Sequence, residues 1–288
     1  MLIDTHCHLH DRQFFAEEQA EEMVKRAQKK GVERIICIGT DPKDSLAARD
    51  FADKHENVYW TYGIHPEETI QREETLSRNA PSGPSSRASV ASCLARRQTC
   101  SSKGHSSRPT LLQKEQTPVS SRPIAIGEVG LDYHSEGFDR GAQIRLFEEM
   151  LQLAVDNDLP VSFHVRNAFP DFFAVVSNFP KVRGCVHSFT DSKKTLRKIL
   201  ETTDFYVGVN GLATYSTLPT PPLERILLET DAPFLTPAPF RGIINEPGYI
   251  YEIAQWLSTK LGVEFEIIEK ETTKNAERLF NFPDTKLR

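Results

Sequence analysis

Short runs of apolar and β-branched residues alternate along the chain with longer segments in which apolar positions recur at helical spacing. The short runs predict eight strands, at residues 2–8, 34–41, 58–66, 123–132, 160–168, 184–191, 204–211 and 225–233. The longer segments predict helices at 16–30, 44–55, 140–157, 169–179, 192–202, 247–261 and 267–280. Strands that are apolar nearly throughout are typical of a parallel sheet covered by helices. We therefore expect an α/β fold, a (β/α)8 barrel of the TIM type, whose chemistry lies at the carboxyl ends of the strands.

Two segments interrupt this alternation and predict an outer ring of helices that is disturbed after the third and after the seventh strand. Residues 77–122 contain twelve Ser, four Pro, two Gly and no aromatic residue. Such a composition buries too little apolar surface to order itself, so we expect a disordered low-complexity insertion that contributes no site residue. A frameshifted or misassembled stretch of the coding sequence is the alternative. After the seventh strand, Pro219, Pro221 and Pro222 leave no room for a helix.

Residues 1–288 are expected to form a single domain, because the 242 residues outside the insertion are about the size of one barrel. The net charge of -5 is unevenly divided. The insertion carries eight Lys or Arg and one acid, whereas the rest of the chain carries 27 bases and 39 acids. An acidic barrel argues against a broad groove along duplex nucleic acid, which needs many cations. The acidic composition is still compatible with an enzyme that binds phosphate in one pocket.

The composition also bears on where the protein works. No apolar run reaches the roughly 18 residues of a membrane span, and the first residues lack the basic and apolar stretches of a secretory signal. Five cysteines, at positions 7, 37, 93, 100 and 185, include no C-x-x-C pair, which argues against a disulfide framework. We therefore expect a cytoplasmic protein without membrane contact, and we expect no obligate protein partner.

Six side chains of types that bind metal ions lie toward the carboxyl ends of predicted strands. His6 and His8 lie two residues apart in the first strand and therefore face the same side of it. A single histidine at such a position is more often an ordinary buried polar residue, whereas an acid in an apolar strand is costly unless it is paired or bound to a metal. Six such residues in strand order make coincidence a poor explanation. They are His6, His8, Glu128, His164, His187 and Asp231.

The number and type of these side chains indicate a two-metal site. Six ligands exceed what one tetrahedral cation needs, but they suit two divalent cations bridged by a carboxylate. Mixed imidazole and carboxylate ligands favour Zn, Mn, Co or Ni over the Mg or Ca of an all-oxygen site. Because the bound metal also depends on which ion is available, Mg is a further candidate. Two ions about 3.5–4 Å apart hold a hydroxide and stabilise the attacking and leaving oxygens of a phosphodiester. Asp231 is the candidate residue to orient or deprotonate that water.

Other residues near the strand ends are candidates for binding the substrate. Arg166 and Arg241 suit bidentate contact with phosphate, although a salt bridge within a loop explains each equally well. His65 ends the third strand and suits donation to a phosphate oxygen, or a structural role in the turn that follows. Tyr133 and Phe240 suit stacking on a base, with packing in the core or at the rim as the more common role.

Seven short motifs contain these residues. They are Asp4-Thr5-His6-Cys7-His8, Gly63-Ile64-His65-Pro66, Gly127-Glu128-Val129-Gly130-Leu131-Asp132-Tyr133, His164-Val165-Arg166-Asn167-Ala168, Val186-His187-Ser188-Phe189-Thr190, Leu228-Glu229-Thr230-Asp231-Ala232-Pro233, and Arg241-Gly242 with Asn245-Glu246-Pro247. In this order, over about residues 1–76 and 123–282, they resemble the TatD-type metal-dependent deoxyribonucleases of the amidohydrolase superfamily.

The resemblance implies a barrel with two divalent cations that acts as a 3′→5′ exonuclease or other phosphodiesterase on DNA ends or single strands, with RNA as an alternative. It implies Glu128 and Asp231 as catalytic residues. One metal would take His6, His8, Glu128 and Asp231, and the other Glu128, His164 and His187. The chain departs from the family pattern in three places: the Ser-rich segment replaces the third helix, the seventh helix is missing, and Ser188 stands where Cys is frequent.

Two other classes of function stay open at this point. An amidohydrolase that acts on C–N bonds would use the same barrel, but such sites often bridge their metals with a carboxylated Lys, whereas the fourth-strand residue here is Glu128. A non-catalytic or misfolded product is the third hypothesis, because the ring of helices is disturbed in two places. The leading hypothesis is a dinuclear phosphodiester hydrolase.

Overall fold

Eight parallel strands pair in chain order in the computed structural model, which describes residues 1–69 and 122–283. They are β1 (Leu2–Cys7), β2 (Val32–Cys37), β3 (Val58–Tyr62), β4 (Ala125–Asp132), β5 (Val161–Arg166), β6 (Gly184–Val186), β7 (Tyr206–Val209) and β8 (Ile226–Leu228). The sheet nearly closes between β8 and β1, where the backbone N–H of Asp231 donates to the carbonyl of His6 at 2.8 Å and that of His8 donates to the carbonyl of Ala232 at 2.7 Å. The predicted barrel of the TIM type is therefore confirmed.

Helices follow most of the strands and cover the outside of the barrel. In the described ranges they are α1 (Glu17–Lys29), α2 (Pro42–Ala52), α3 (Arg140–Asn157), α4 (Phe169–Val176), α5 (Lys193–Thr202), α6 (Ile250–Leu261) and α7 (Phe265–Phe280). Polar side chains begin several of them. The carboxylate of Asp41 accepts hydrogen bonds from the N–H groups of Lys43 and Asp44, and the hydroxyl of Ser192 accepts one from Thr195. None of these described helices is long and apolar enough to cross a membrane.

Aromatic side chains pack α3 and α4 against the middle of the sheet. The rings of Phe163 in β5 and Phe172 in α4 lie edge to face with centroids 5.2 Å apart, and Phe147 in α3 lies 6.1 Å from Phe163. All three rings are fully buried. Burial of a side chain of this size contributes about 1.5–3 kcal/mol. This layer therefore holds in place the strand that carries His164.

The connection between β7 and β8 lacks an α-helix, as the prolines predict. It forms two short 3₁₀-helices instead, Gly211–Thr214 and Leu223–Arg225. The side-chain amide of Asn275 in α7 donates to the carbonyls of Leu223 and Ile226, each at 2.9 Å. These carbonyls therefore have hydrogen-bond partners although no α-helix is present in this connection.

Several strands end earlier than the sequence predicts. The sixth ends at Val186 rather than at 191, and the eighth ends at Leu228 rather than at 233. Ser188 and Asp231 adopt left-handed backbone conformations, with φ of 46° and 59°, which are incompatible with continued strand pairing. The sequence prediction extended both strands too far because some of the loop residues that follow them are also apolar and buried. His187 and Asp231 consequently lie in loops just beyond their strands.

Residues 70–121 and 284–288 lie outside the described residues. The insertion predicted over 77–122 falls there, apart from Arg122, which precedes β4. Its predicted disorder, and the assignment of 1–288 to a single domain, therefore stay predictions.

Candidate active site

Glu128 is buried at the carboxyl end of the barrel and is surrounded by imidazoles. Its Oε1 lies 2.6 Å from Nδ1 of His164 and 3.0 Å from Nε2 of His187. Its Oε2 lies 3.5 Å from Nε2 of His6. The three histidines come from β5, from the loop after β6 and from β1, so barrel closure brings together side chains that are distant in sequence.

Asp231 approaches the same cluster from the loop after β8. Its Oδ1 lies 3.6 Å from Nε2 of His6 and 3.6 Å from Nε2 of His8. The ring of His6 also stacks on that of His187, with centroids 3.8 Å apart. Asp is one of the few residues that tolerate a left-handed backbone, which suits the φ of 59° at Asp231. All six residues predicted as metal ligands therefore lie in one cluster.

Close packing of β3 against β4 positions the backbone of Glu128. A Cβ atom at Gly63 would lie 2.3 Å from the backbone nitrogen of Glu128, so a larger residue does not fit without a shift of the chain. That nitrogen donates to the carbonyl of Gly39 at 2.8 Å. The close approach of the two chains therefore explains why glycine occupies position 63, at the start of the motif that contains His65.

The donor set fits divalent cations. Three groups of ligand atoms each lie within 4.8 Å of one another: His6, His187 and Asp231; His6, His8 and Glu128; and His65, Glu128 and His164. In the part of the chain that the structure describes, Nε2 of His6 is buried without a hydrogen-bond partner. An unpartnered buried nitrogen is costly, and a cation between it and the nearby carboxylates would remove that cost. Glu128 belongs to two of the three groups, as a shared ligand would.

Neighbouring groups hold the second nitrogen of several imidazoles. Nδ1 of His8 lies 3.1 Å from a backbone carbonyl, and Nε2 of His164 lies 2.9 Å from Oδ2 of Asp132. Nδ1 of His187 has no hydrogen-bond partner among the described residues, and the nearest carboxylate oxygen, Oε1 of Glu229, lies 3.7 Å away. The hydrogen bonds of His8 and His164 fix the orientation of each ring and direct its other nitrogen toward a metal.

The buried carboxylate of the cluster is in the form that binds a cation, whereas a protonated imidazole must first release its proton. Burial alone would raise the pKa of Glu128, but His187, His164 and His6 outweigh it and hold that pKa well below its usual range. Burial lowers the pKa of His164, and its hydrogen bonds to Asp132 and Glu128 outweigh this and raise it to about 9. Glu128 is therefore anionic, the form in which a carboxylate binds a metal.

The ligand cluster opens into a cavity of about 750 Å³ at the carboxyl ends of the strands. Two of the five candidate residues for substrate binding, His65 and Arg166, line it. Nε2 of His65 lies 3.7 Å from Oε1 of Glu128, so His65 also belongs to one of the ligand groups. Arg166 is exposed at the end of β5. Both side chains are therefore placed where a substrate would meet them.

The other three candidates, Tyr133, Phe240 and Arg241, are not among the described residues that line this cavity, and the ring of Phe240 stacks on that of Tyr249. The hydroxyl of Tyr133 donates to Oδ2 of Asp171 at 2.8 Å, and its ring stacks on Phe138. The guanidinium of Arg241 lies over the ring of Tyr215, 4.1 Å from its centroid. Their roles in substrate binding stay predictions, since each side chain already has a structural contact.

Asp132, Phe14 and Phe234 line the cavity and were not predicted from the sequence as functional residues. Asp132 lies four residues after Glu128 in β4, and alternate residues of a strand share a face. The spacing of four residues therefore predicts that Asp132 faces the same side of the strand as Glu128. Phe14 and Phe234 lie in loops, where no periodicity indicates the direction of a side chain.

Comparisons with known proteins identify the family of this chain. The sequence matches the family model of the TatD related DNases over residues 3–281. The uncharacterized metal-dependent hydrolase YabD of Bacillus subtilis is 30% identical over 97% of this chain and 99% of its own length. The 3′-5′ ssDNA/RNA exonuclease TatD of Pantoea ananatis is 29% identical, again over 97% of this chain and 99% of its own.

Solved structures give the same result for the fold. YjjV of Escherichia coli, a TatD homologue, superposes with a TM-score of 0.73 at 25% identity, over 98% of both chains. A TatD family hydrolase of Entamoeba histolytica has a TM-score of 0.77 at 21% identity, over 96% of this chain and 97% of that one, which supports the barrel alone. The match of the family model along nearly the whole sequence shows that this chain belongs to the TatD family of metal-dependent hydrolases.

Proposed function

We propose that this hydrolase cleaves phosphodiester bonds at the 3′ ends of single-stranded DNA, or of RNA, with the help of two divalent cations. The observation that carries the proposal is the position of Glu128, which belongs to two groups of ligand atoms at the mouth of the barrel. Two groups that share a carboxylate suit two cations close enough to act on one phosphate. The name of the Pantoea ananatis relative, a 3′-5′ ssDNA/RNA exonuclease, supports the same substrate class.

The proposed ligand assignment uses all six predicted residues. One cation would be held by His6, His8, Glu128 and Asp231, and the other by Glu128, His164 and His187. His65 lies within reach of the second set. Both sets mix nitrogen and oxygen donors, which favours Zn, Mn, Co or Ni, with Mg kept open.

When bound, the two cations acidify a water molecule and neutralise charge on the phosphate. The task of Asp231 is to orient that water and accept its proton. Burial raises the pKa of Asp231, but His8 and the neighbouring imidazoles outweigh it and lower the pKa, so the carboxylate is anionic and able to accept a proton. Arg166, exposed on the cavity wall, and His65 are placed to hold phosphate oxygens.

The size of the cavity supports a strand end as the substrate. A volume of about 750 Å³ suits a ligand of nucleotide size. The acidic composition of the barrel argues against wrapping of a duplex. A cytoplasmic location stays our prediction, supported by the cysteines at positions 7, 37 and 185, which form no disulfide within the described residues.

The test is digestion of single strands labelled at one end by the purified protein with Mn²⁺. We expect a 5′-labelled strand to shorten stepwise and a 3′ label to be released at once as a mononucleotide. The Asp231→Asn variant is the matched control and should leave both strands intact. Internal cuts would contradict an exonuclease. Intact strands together with hydrolysis of a C–N bond in a cyclic amide or an aminopurine nucleoside would favour the amidohydrolase hypothesis, and no reaction on any of them would favour a non-catalytic product.

A further inference from the structure

Two phenylalanine side chains are exposed at the rim of the candidate active-site cavity. Phe14 is 44% exposed and Phe234 is 47% exposed, and both line the cavity. Their rings lie edge to face with centroids 5.2 Å apart. Contact with each other still leaves both rings open to solvent. Exposed apolar side chains beside a binding cavity are a common mark of a ligand contact.

Both rings are attached to loops that carry candidate metal ligands. Phe234 follows Asp231 by three residues, and its N–H donates to the carbonyl of Asp231 at 2.8 Å. The centroid of the Phe234 ring lies 6.5 Å from that of His8. Phe14 lies in the turn after β1, where its N–H donates to the carbonyl of Asp11 at 3.2 Å. A ligand group on this aromatic pair would therefore be next to the metal centre.

Charge is unevenly distributed around the cavity. Besides the candidate metal ligands and Asp132, the acidic residues of its wall come from the segments that follow β1, β2 and β3, and they are Asp11, Asp44, Glu67 and Glu68. The basic side chain of Arg166 ends β5, which lies opposite β1 in an eight-stranded barrel with this strand order. Phosphate groups are attracted to the Arg166 side and repelled from the acidic side. The aromatic pair, attached after β1 and β8, therefore suits the uncharged part of a nucleotide, its base.

We propose that Phe234, with Phe14 edge-on beside it, is a platform on which the base of the 3′-terminal nucleotide stacks while the bond to be cleaved lies at the metal centre. This proposal rests on the proposed function and adds the contact that places the strand end. Every base has a π face, so the platform selects for the presence of a base and tolerates any of the four. The contact needs an aromatic ring, because apolar volume alone does not provide the stack.

Binding tests the platform without any hydrolysis. The probe is a short single strand with 2-aminopurine as its 3′-terminal base, whose fluorescence falls when the base stacks. It is titrated with the Asp231→Asn protein in the presence of Mg²⁺. Adding Phe234→Leu, which keeps apolar volume without a ring, should abolish the quenching and weaken binding about 5- to 100-fold. Phe234→Tyr should retain both, and Ile267→Ala, at a side chain 45% exposed on α7, is the matched control that should change neither.

Cleavage with an otherwise unchanged protein tests the same contact during turnover. A strand with an abasic 3′-terminal nucleotide should be cleaved with a kcat/KM about 5- to 100-fold below that of a normal strand. Phe234→Leu should remove this difference by slowing cleavage of the normal strand only. Phe14→Ala should have a smaller effect in the same direction, since Phe14 supports the platform from its edge.

The two sets of data separate the platform from the proposed function. Quenching that depends on Phe234, without cleavage of any strand, would uphold the platform and contradict the proposed nuclease. Cleavage with no dependence of quenching or of the abasic difference on Phe234 would contradict the platform and uphold the nuclease. Absence of quenching with the Asp231→Asn parent overturns the platform as well.

Discussion

Asp132 accepts a hydrogen bond from Nε2 of His164 at 2.9 Å. Because of this contact the other ring nitrogen, Nδ1, faces Glu128 and lies 2.6 Å from its Oε1. Asp132 is itself held in place, since its Oδ1 accepts a hydrogen bond from the backbone N–H of His134 at 2.8 Å. The pair is a carboxylate–histidine arrangement of the kind that orients metal ligands.

Replacing Asp132 should weaken the binding of one of the two proposed cations. Asp132→Asn keeps the shape of the side chain but removes its charge, so we expect metal affinity at the His164 side to fall about 10- to 100-fold. Titration calorimetry with Zn²⁺ measures the loss. Asp171→Asn is the matched control, because Asp171 contacts Arg140 and Tyr133 and no candidate ligand. Equal affinities in parent and Asp132→Asn would refute this role.

Glu128 should determine how many metal ions bind. The parent protein is expected to hold about two divalent ions, and Glu128→Ala should lose at least one of them and most hydrolysis, because Glu128 belongs to two ligand groups. Metal analysis after gel filtration gives the stoichiometry. Glu136→Ala, at an exposed glutamate after the same strand, should keep both ions. A Glu128→Ala protein that binds two ions and keeps near-native activity would contradict the assignment of a two-metal site.

Asp231 should affect turnover more than metal binding. The isosteric Asp231→Asn substitution should retain the fold and much of the metal, yet lower kcat by orders of magnitude, because an amide does not accept a proton from water. Single-turnover rates on a labelled strand, with metal content measured in parallel, provide the check. If the rate stays within about threefold of the parent, Asp231 has a structural role only.

Asn275 should stabilise the connection that lacks an α-helix. Asn275→Ala removes two hydrogen bonds to the carbonyls of Leu223 and Ile226. Losing these two hydrogen bonds should lower the free energy of unfolding by about 1–3 kcal/mol, since the carbonyl of Leu223 keeps the N–H of Ile226 as a donor. Urea denaturation measures this, and Asn178→Ala, an exposed asparagine at the end of α4, should stay within about 0.5 kcal/mol of the parent. A similar small change for Asn275→Ala would show that other contacts hold this segment.

Local pattern was enough to predict the barrel and the residues that converge in it. Apolar runs predicted the strands, and the carboxyl ends of parallel strands meet at one end of a barrel, so His6, His164 and Asp231 were expected there together. The alternation of β1 also predicted that His6 and His8 face one side. Three prolines predicted the connection without a helix, because proline removes a backbone donor and clashes with a helical turn.

Barrel closure and loop packing decided which side chains meet. The hydrogen bond from the N–H of Asp231 to the carbonyl of His6 joins the two ends of the sheet, and no local pattern contains that contact. In a strand, alternate residues face opposite sides, so the sequence predicts where each side chain points, whereas loop residues follow no such repeat. Tyr133 therefore contacts Asp171, whereas Phe234 lies on the cavity rim, although the sequence favoured Tyr133 for stacking. The direction of such side chains depends on packing between loops from different strands, which exists only once the barrel has formed.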